Sequence, residues 1–226
     1  MLTKNVIPFL SDLAHNNHKN WFDANKERYQ LALADFTDFV GQLIAHFAQT
    51  NPQLNGLLAK DCVFRIYRDV RFSKDKTPYK NHFGAYIAPN GRKNKLSGFY
   101  VHIEPTGKSF TGGGIFMPEA PVLKALRKEF YQVPEELLEL LEAPNFKKYF
   151  SGLWDQDKLK TAPKGFPKDF EHIELLKYKS YVATSSLTLS QLSTNNIIEY
   201  LSAVYKANYP LIRLVDTIIE DAGLSQ

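Results

Sequence analysis

FGAYIAPNGRKNKLSGFYVHIEPTGKSFTGGGIF, residues 83 to 116, is the stretch on which the fold turns. Three short runs rich in aromatic and β-branched residues, Phe83 to Ala88, Phe99 to Glu104 and Ser109 to Phe116, alternate with turn-forming residues, as strands joined by reversals do. PNGR at 89 to 92 and PTGK at 105 to 108 supply the proline, asparagine and glycine that tight reversals use. Connections this short cannot carry the chain across to a parallel neighbour, so the three runs are expected to form an antiparallel meander. Cys62 to Tyr67 reads as one more strand, joined to the meander through the charged loop that follows it.

Outward from the meander the periodicity becomes helical. Phe36, Phe39, Val40, Leu43, Ile44 and Phe47 recur at three-and-four spacing, which predicts a long helix starting near Asn20 and ending before the turn-rich NPQLNG at 51 to 56. A short amphipathic segment around Phe9 to Leu13 precedes it. After Pro118, PEAPVLKALRKEFYQ and VPEELLELLEA read as two helices, with proline and acid at the front of the first and cations near its end. Residues 145 to 188 read as an irregular segment, and Leu189 to Tyr205 and Pro210 to Asp221 as two closing helices. The expectation is an α+β fold, an antiparallel β-meander of about four or more strands packed against N- and C-terminal helices. It forms a single domain over 1–226, helical over 7–50, β-meander over 61–117, helical and irregular over 118–226.

An apolar share of 44% in 226 residues fits one globular core. The formal charge of +4 is unevenly spread: the stretch from Lys60 to Lys108 carries eleven cations against Asp61, Asp69, Asp75 and Glu104, so +7 sits there and −3 in the remainder. Charge this segregated draws phosphate, carboxylate or nucleic-acid ligands. The lone cysteine, Cys62, excludes an internal disulfide framework and, set in an apolar run, reads as a small core residue in a reducing compartment. The start MLTKNVIPFLSDLAHN shows no signal-peptide pattern, and no run approaches about 18 apolar residues, so a cytoplasmic protein without a membrane span is expected.

Strand alternation assigns side chains to faces. Phe64 and Ile66, Phe83, Ala85 and Ile87, and Phe99, Val101 and Ile103 are expected to face the core. The opposite face then carries Arg65, Tyr67, Tyr86, Tyr100, His102 and Glu104, a polar and aromatic surface. Beside it the loop holds Arg68, Asp69, Arg71, Lys76, Tyr79, Lys80 and His82. Arginine offers a planar fork of donors for carboxylate or phosphate and lysine a point charge. Asp69, between Arg68 and Arg71, would orient one of them. Tyr79, His82 and His102 are the candidates for proton transfer, with Glu104 two residues beyond His102.

The pattern Arg65-x-x-Arg68-Asp69-x-Arg71-Phe72, followed by Asp75-Lys76-x-x-Tyr79-Lys80, resembles the signature of an uncharacterised family known as domain of unknown function 2461, bacterial and in part fungal. NNHKNWFDANKERY at 16 to 29, SGFYVHIEP at 97 to 105, TGGG at 111 to 114, LKTAPKGFP from 159 and ELLKYKSY up to 181 are similar to it too. The resemblance spans nearly the whole chain. It implies that Arg65, Arg68, Asp69, Arg71, Phe72, Lys76, Tyr79 and Lys80 match the family motif, and Trp21, Phe22, Asn25 and Tyr29 its N-terminal block. It implies no activity, since none is established for the family.

Other motifs weigh less. Gly107-Lys108-Ser109 resembles the end of a phosphate loop, but His102 stands where the preceding glycine belongs and a strand follows, so it is a hairpin turn. Gly112 to Gly114 permit a close backbone approach, as a pocket wall or as a bulge. His15 and His18 have no third ligand nearby, and neither a metal nor a cofactor is expected. The leading expectation is a basic, aromatic pocket for a small phosphate- or carboxylate-bearing molecule, with catalysis as one use of its proton-transfer groups. A nucleic-acid-binding module is the alternative, since cations interleave with Tyr67, Phe72, Tyr79 and Tyr86. A third reading takes the arginine motif as internal scaffolding.

Overall fold

The computed structural model of the chain describes residues 2–71 and 74–225, so Phe72 of the arginine motif and Ser73 beside it lie outside the described residues. Its elements are α1 (Leu2–His15), α2 (Lys19–Ala24), α3 (Lys26–Phe47), α4 (Ala59–Cys62), β1 (Phe83–Ile87), β2 (Gly98–Ile103), β3 (Ser109–Ile115), α5 (Ala120–Gln132), α6 (Glu135–Glu142), α7 (Pro144–Lys147), α8 (Ile173–Leu176), β4 (Tyr181–Leu187), α9 (Leu189–Leu192) and α10 (Ile197–Asp221). The four strands make one antiparallel sheet in the order β1-β2-β3-β4, with helices before and after it in the chain, an α+β fold. Its first three strands are the meander written in residues 83 to 116. Among the described residues no helix is long and apolar enough to cross a membrane.

Several elements differ from the sequence reading, among them the expected closing helix Leu189 to Tyr205, which is broken between α9 and α10. Residues 62 to 67 form no strand: α4 ends at Cys62, and beyond it only the isolated bridges Val63↔Ala85 and Tyr67↔Tyr79 form. The backbone divides its bonds between two partners, Phe64 N–H donating to the Gly84 carbonyl (2.9 Å) and Lys80 N–H to the Ile66 carbonyl (2.8 Å), so no continuous ladder develops. The fourth strand is instead Tyr181–Leu187, within the segment read as irregular. Tyr181, Ala183 and Leu187 are buried, but Ser185 and Ser186 blur the alternation. Finally, α10 continues through Pro210, where two helices were expected. The carbonyl deprived of its bond belongs to Lys206, and both residues are exposed, so water can take the place of the missing N–H.

The chain divides into two compact units, Met1–Lys93 with Tyr100–Thr111 and Ser186–Ser202, and Asn94–Phe99 with Gly112–Ser185 and Ala203–Gln226. In the first, α1 and α3 bury Phe9, Leu10, Leu13, Phe36, Val40, Leu43 and Phe47 together with Phe83, Ala85 and Ile87 of β1. Phe83 meets Phe36 at 5.3 Å and Phe9 at 6.4 Å between ring centroids, both stacked. The helical run splits at Asn25 into α2 and α3, and His18 caps α2 by accepting the Trp21 N–H at 3.3 Å.

In the second unit, Phe130 of α5 packs on Tyr181 of β4 (4.9 Å) and Tyr205 of α10 edge-on against Phe99 (5.3 Å). The glycines of β3 lie here. A Cβ on Gly112 or Gly114 would collide with the carbonyls of Ala183 or Tyr181, and one on Gly113 with Asn208. The close approach these glycines permit is therefore to β4 and α10.

Candidate functional site

Within the first unit, the sheet face away from the helical core carries a cluster built by alternation along β2: Val101 and Ile103 point inward, Tyr100 and His102 outward. His82, directly before β1, lies against His102 with ring centroids 4.2 Å apart and planes tilted by 31°. Phe110 of β3 stacks on the other side of His102 at 4.8 Å. The Tyr100 hydroxyl is 3.3 Å from His102 Nδ1. Its ring lies over Gly84, where a Cβ would overlap the hydroxyl and come within 3.0 Å of Cζ, so the position needs a residue without a side chain.

The protonation pattern follows from burial. Tyr100 is pushed up to about 12, so it keeps its proton at neutral pH and is able to donate it to His102 Nδ1. With Tyr100 as the donor, His102 accepts at Nδ1 and carries its own hydrogen on Nε2. Burial is the largest cause holding His82 down at about 4, with His102 and Lys80 adding to it, and burial lowers His102 as well. At pH 7 both imidazoles are neutral, the form that accepts a proton.

Lys80 borders the cluster. Its Nζ donates to the Arg65 carbonyl at 2.9 Å and lies 5.5 Å from the Phe64 ring centroid. Burial, then Arg65 and Arg68, lower its pKa, and among the described residues no carboxylate acts in the opposite sense. Phe64, expected in the core, is half-buried and edge-on to Tyr100 at 6.1 Å, while the exposed Tyr67 turns toward Phe22 and Tyr79. The alternation rule fails at these two positions because residues 62 to 67 are not a strand.

Arg68, Arg71 and Lys76 are engaged with the loop itself. Arg68 bonds Asp75 and the Thr77 hydroxyl (2.7 Å), and Asp75 also accepts the Thr77 N–H (2.9 Å). The Thr77 N–H and hydroxyl, then Arg68, bring Asp75 down to about 2. Asp69 holds Arg71 by two parallel bonds, Nε to Oδ1 at 2.9 Å and Nη2 to Oδ2 at 2.6 Å, and is itself lowered by that pairing. Lys76 donates to the Val70 carbonyl at 2.9 Å. Arg65 is exposed.

Two proposed proton-transfer residues are occupied elsewhere. Tyr79 is buried, stacked on Phe22 at 4.0 Å, with its backbone tied on both sides to Asn17 at 2.8 and 3.1 Å. Glu104 is buried beneath the β2–β3 turn, where its Oε1 accepts the Thr106 hydroxyl and the Lys108 N–H (2.7 Å). Tyr86 is half-buried on the outer side of β1.

The fold therefore brings together His82, His102, Tyr100 and Lys80, and adds Phe64, which was expected in the core, and Phe110, which the sequence reading did not name. Phe110 was legible from alternation, since it is the outward residue between Ser109 and Thr111, both buried. Among the described residues no group of three or more His, Cys, Asp or Glu is placed to hold a metal.

No curated protein and no solved structure matches the chain. A family profile does, over residues 5–213, a span that takes in all the residues of this cluster, and by it the chain belongs to the family described as "Conserved hypothetical protein (DUF2461)".

Proposed function

We propose that the outer sheet face of the first unit is a binding site for a small anion, a phosphate- or carboxylate-bearing molecule, held between Lys80 and the His82–His102 pair with Arg65 at its margin. The supporting observation is Lys80: a half-buried ammonium bonded to a carbonyl and resting on an aromatic ring, with cations as its charged neighbours. A cation so placed gains more from an anion than a solvated lysine does, because the surroundings screen less. His102 adds an N–H donor, and Phe64 and Phe110 supply apolar walls. In this reading Arg68, Asp69, Arg71 and Lys76 shape the loop and do not contact the ligand, and catalysis, where the ligand is a substrate, uses the neutral imidazoles as proton acceptors. The setting is the reducing cytoplasm, in keeping with the buried thiol of Cys62, which burial pushes up to about 11.

The test is a thermal-shift screen of phosphorylated and carboxylated metabolites at low salt on the wild type and Lys80→Ala. Stabilisation by a subset of compounds is expected, and its loss in the variant. A panel without effect on the wild type rejects the pocket. Binding of single- or double-stranded nucleic acid that weakens steeply with salt would move the assignment to a nucleic-acid module.

A further inference from the structure

We propose that the anion enters this site together with one proton, which His82 holds while the site is loaded and releases when it empties. The inference rests on the anion-site reading above and adds a second ligand to it. Its basis is the contact between the two imidazoles. With ring centroids 4.2 Å apart and planes tilted by 31°, no ligand atom fits between them, so a ligand meets both rings at their edges. The same closeness admits only one positive charge, because two imidazolium rings in contact repel.

The proton's place follows from the hydrogen bonds. The Tyr100 hydroxyl lies 3.3 Å from His102 Nδ1, so a proton on that nitrogen is held only if the hydroxyl hydrogen rotates away and the phenol oxygen accepts. His82 has no such donor among the described residues. The charged groups around it are Lys80 and Arg68 from the preceding loop, His102 from β2, and Glu104 beyond β2, while β3 contributes the uncharged Phe110. The Glu104 Oε1 is already committed to Thr106 and Lys108. In the empty site the balance of burial and cations keeps His82 neutral. An oxyanion beside Lys80 reverses that balance, since it places a negative charge at the edge of the ring where none stood. The ligand class is then an oxyanion that stays ionised in mildly acidic solution, such as a phosphate monoester or a sulfate.

Sulfate is the probe, because it keeps its charge from pH 5 to 8 and any proton taken up is the protein's. Calorimetric titration at pH 5.5 in buffers of different ionisation enthalpy is expected to show uptake approaching one proton per sulfate. Affinity is expected to rise up to about tenfold for each pH unit lowered between 7 and 5. In His82→Asn sulfate should bind more weakly and without proton uptake, its fold checked by circular dichroism. In the wild type, NMR titration of the histidine ring protons should show the His82 midpoint moving upward with sulfate, a readout that needs no variant.

Sulfate binding at unchanged affinity across this range without proton uptake overturns the coupling and leaves the anion site standing. Proton uptake that survives in folded His82→Asn overturns the assignment to His82. Absence of sulfate binding at every pH overturns both the coupling and the site.

Discussion

Gly84 sets how the sheet-face cluster is built, because the Tyr100 ring occupies the space a side chain there would need. Gly84→Ala is expected to force Tyr100 off its place over β1, costing about 1–3 kcal/mol as other overpacking substitutions do, read from urea denaturation. The hydroxyl should leave His102 Nδ1 with it, so the His102 NMR titration should shift in the variant. An unchanged melt and titration would mean that the ring is not constrained. Much of this cluster was legible at single residues: alternation along β2 separates Phe99, Val101 and Ile103 from Tyr100 and His102, and the structure keeps that separation. Phe64 and Tyr67 were not legible, because the same rule was applied to residues that pair with two different segments and so have no fixed parity.

The β2–β3 turn depends on an acid read as a catalyst. Glu104 Oε1 accepts both the Thr106 hydroxyl and the Lys108 N–H, a pair of bonds that fastens PTGK from below. Glu104→Gln keeps an oxygen there and should stay within about 0.5 kcal/mol of the wild type, whereas Glu104→Ala leaves a part-buried N–H unpaired and should cost about 1–3 kcal/mol. Equal loss in both variants would show that the charge, not the oxygen, is what the turn needs. In the 68–77 loop the Arg68–Asp75 pair is open to solvent on its acidic side, with Asp75 half exposed at 52%. Arg68→Ala should therefore lower Tm by only about 2–4 °C while hydrogen exchange at Thr77 speeds up. Sequence spacing placed an acid beside these arginines but named Asp69 for either of them; the loop sends Asp69 to Arg71 and brings Asp75 back to Arg68, a folding-back that no local pattern encodes. β4 escaped notice for a related reason. Its partner β3 meets it at Gly112 and Gly114, so the pairing there rests on backbone contact and not on the facing apolar side chains that advertise a strand.

At the scale of the whole chain, two titrating groups, half-buried His82 and buried Asp216, oppose each other in acid. His82 is held at about 4 against an ordinary 6.5, so below 6.5 the unfolded chain binds the proton first and stability falls as pH drops from 6.5 toward 4. Asp216 of α10, 7% exposed, accepts the Ser97 N–H at 2.7 Å yet is raised to about 6 from 3.8, mainly by burial. Glu220 adds to that rise and Arg213 works against it. Between 3.8 and 6 the folded chain keeps a proton that the unfolded chain has lost, so this contribution is full below 3.8 and is lost as pH rises through 6. Asp75, held at about 2, acts below both windows. The two slopes have opposite sign over pH 4 to 6, and the wild-type Tm measured by calorimetry should be nearly level there. Asp216→Asn keeps an acceptor for Ser97 without the titration. Its Tm should climb with pH from 4 to 6.5, and at pH 7 its unfolding free energy should exceed that of the wild type by a margin on the order of 2–3 kcal/mol. His82→Asn should give the mirror profile, a Tm that falls as pH rises from 4 to 6. An Asp216→Asn curve parallel to that of the wild type would show that this carboxyl gives up its proton at its ordinary pH, and that the level region has another origin.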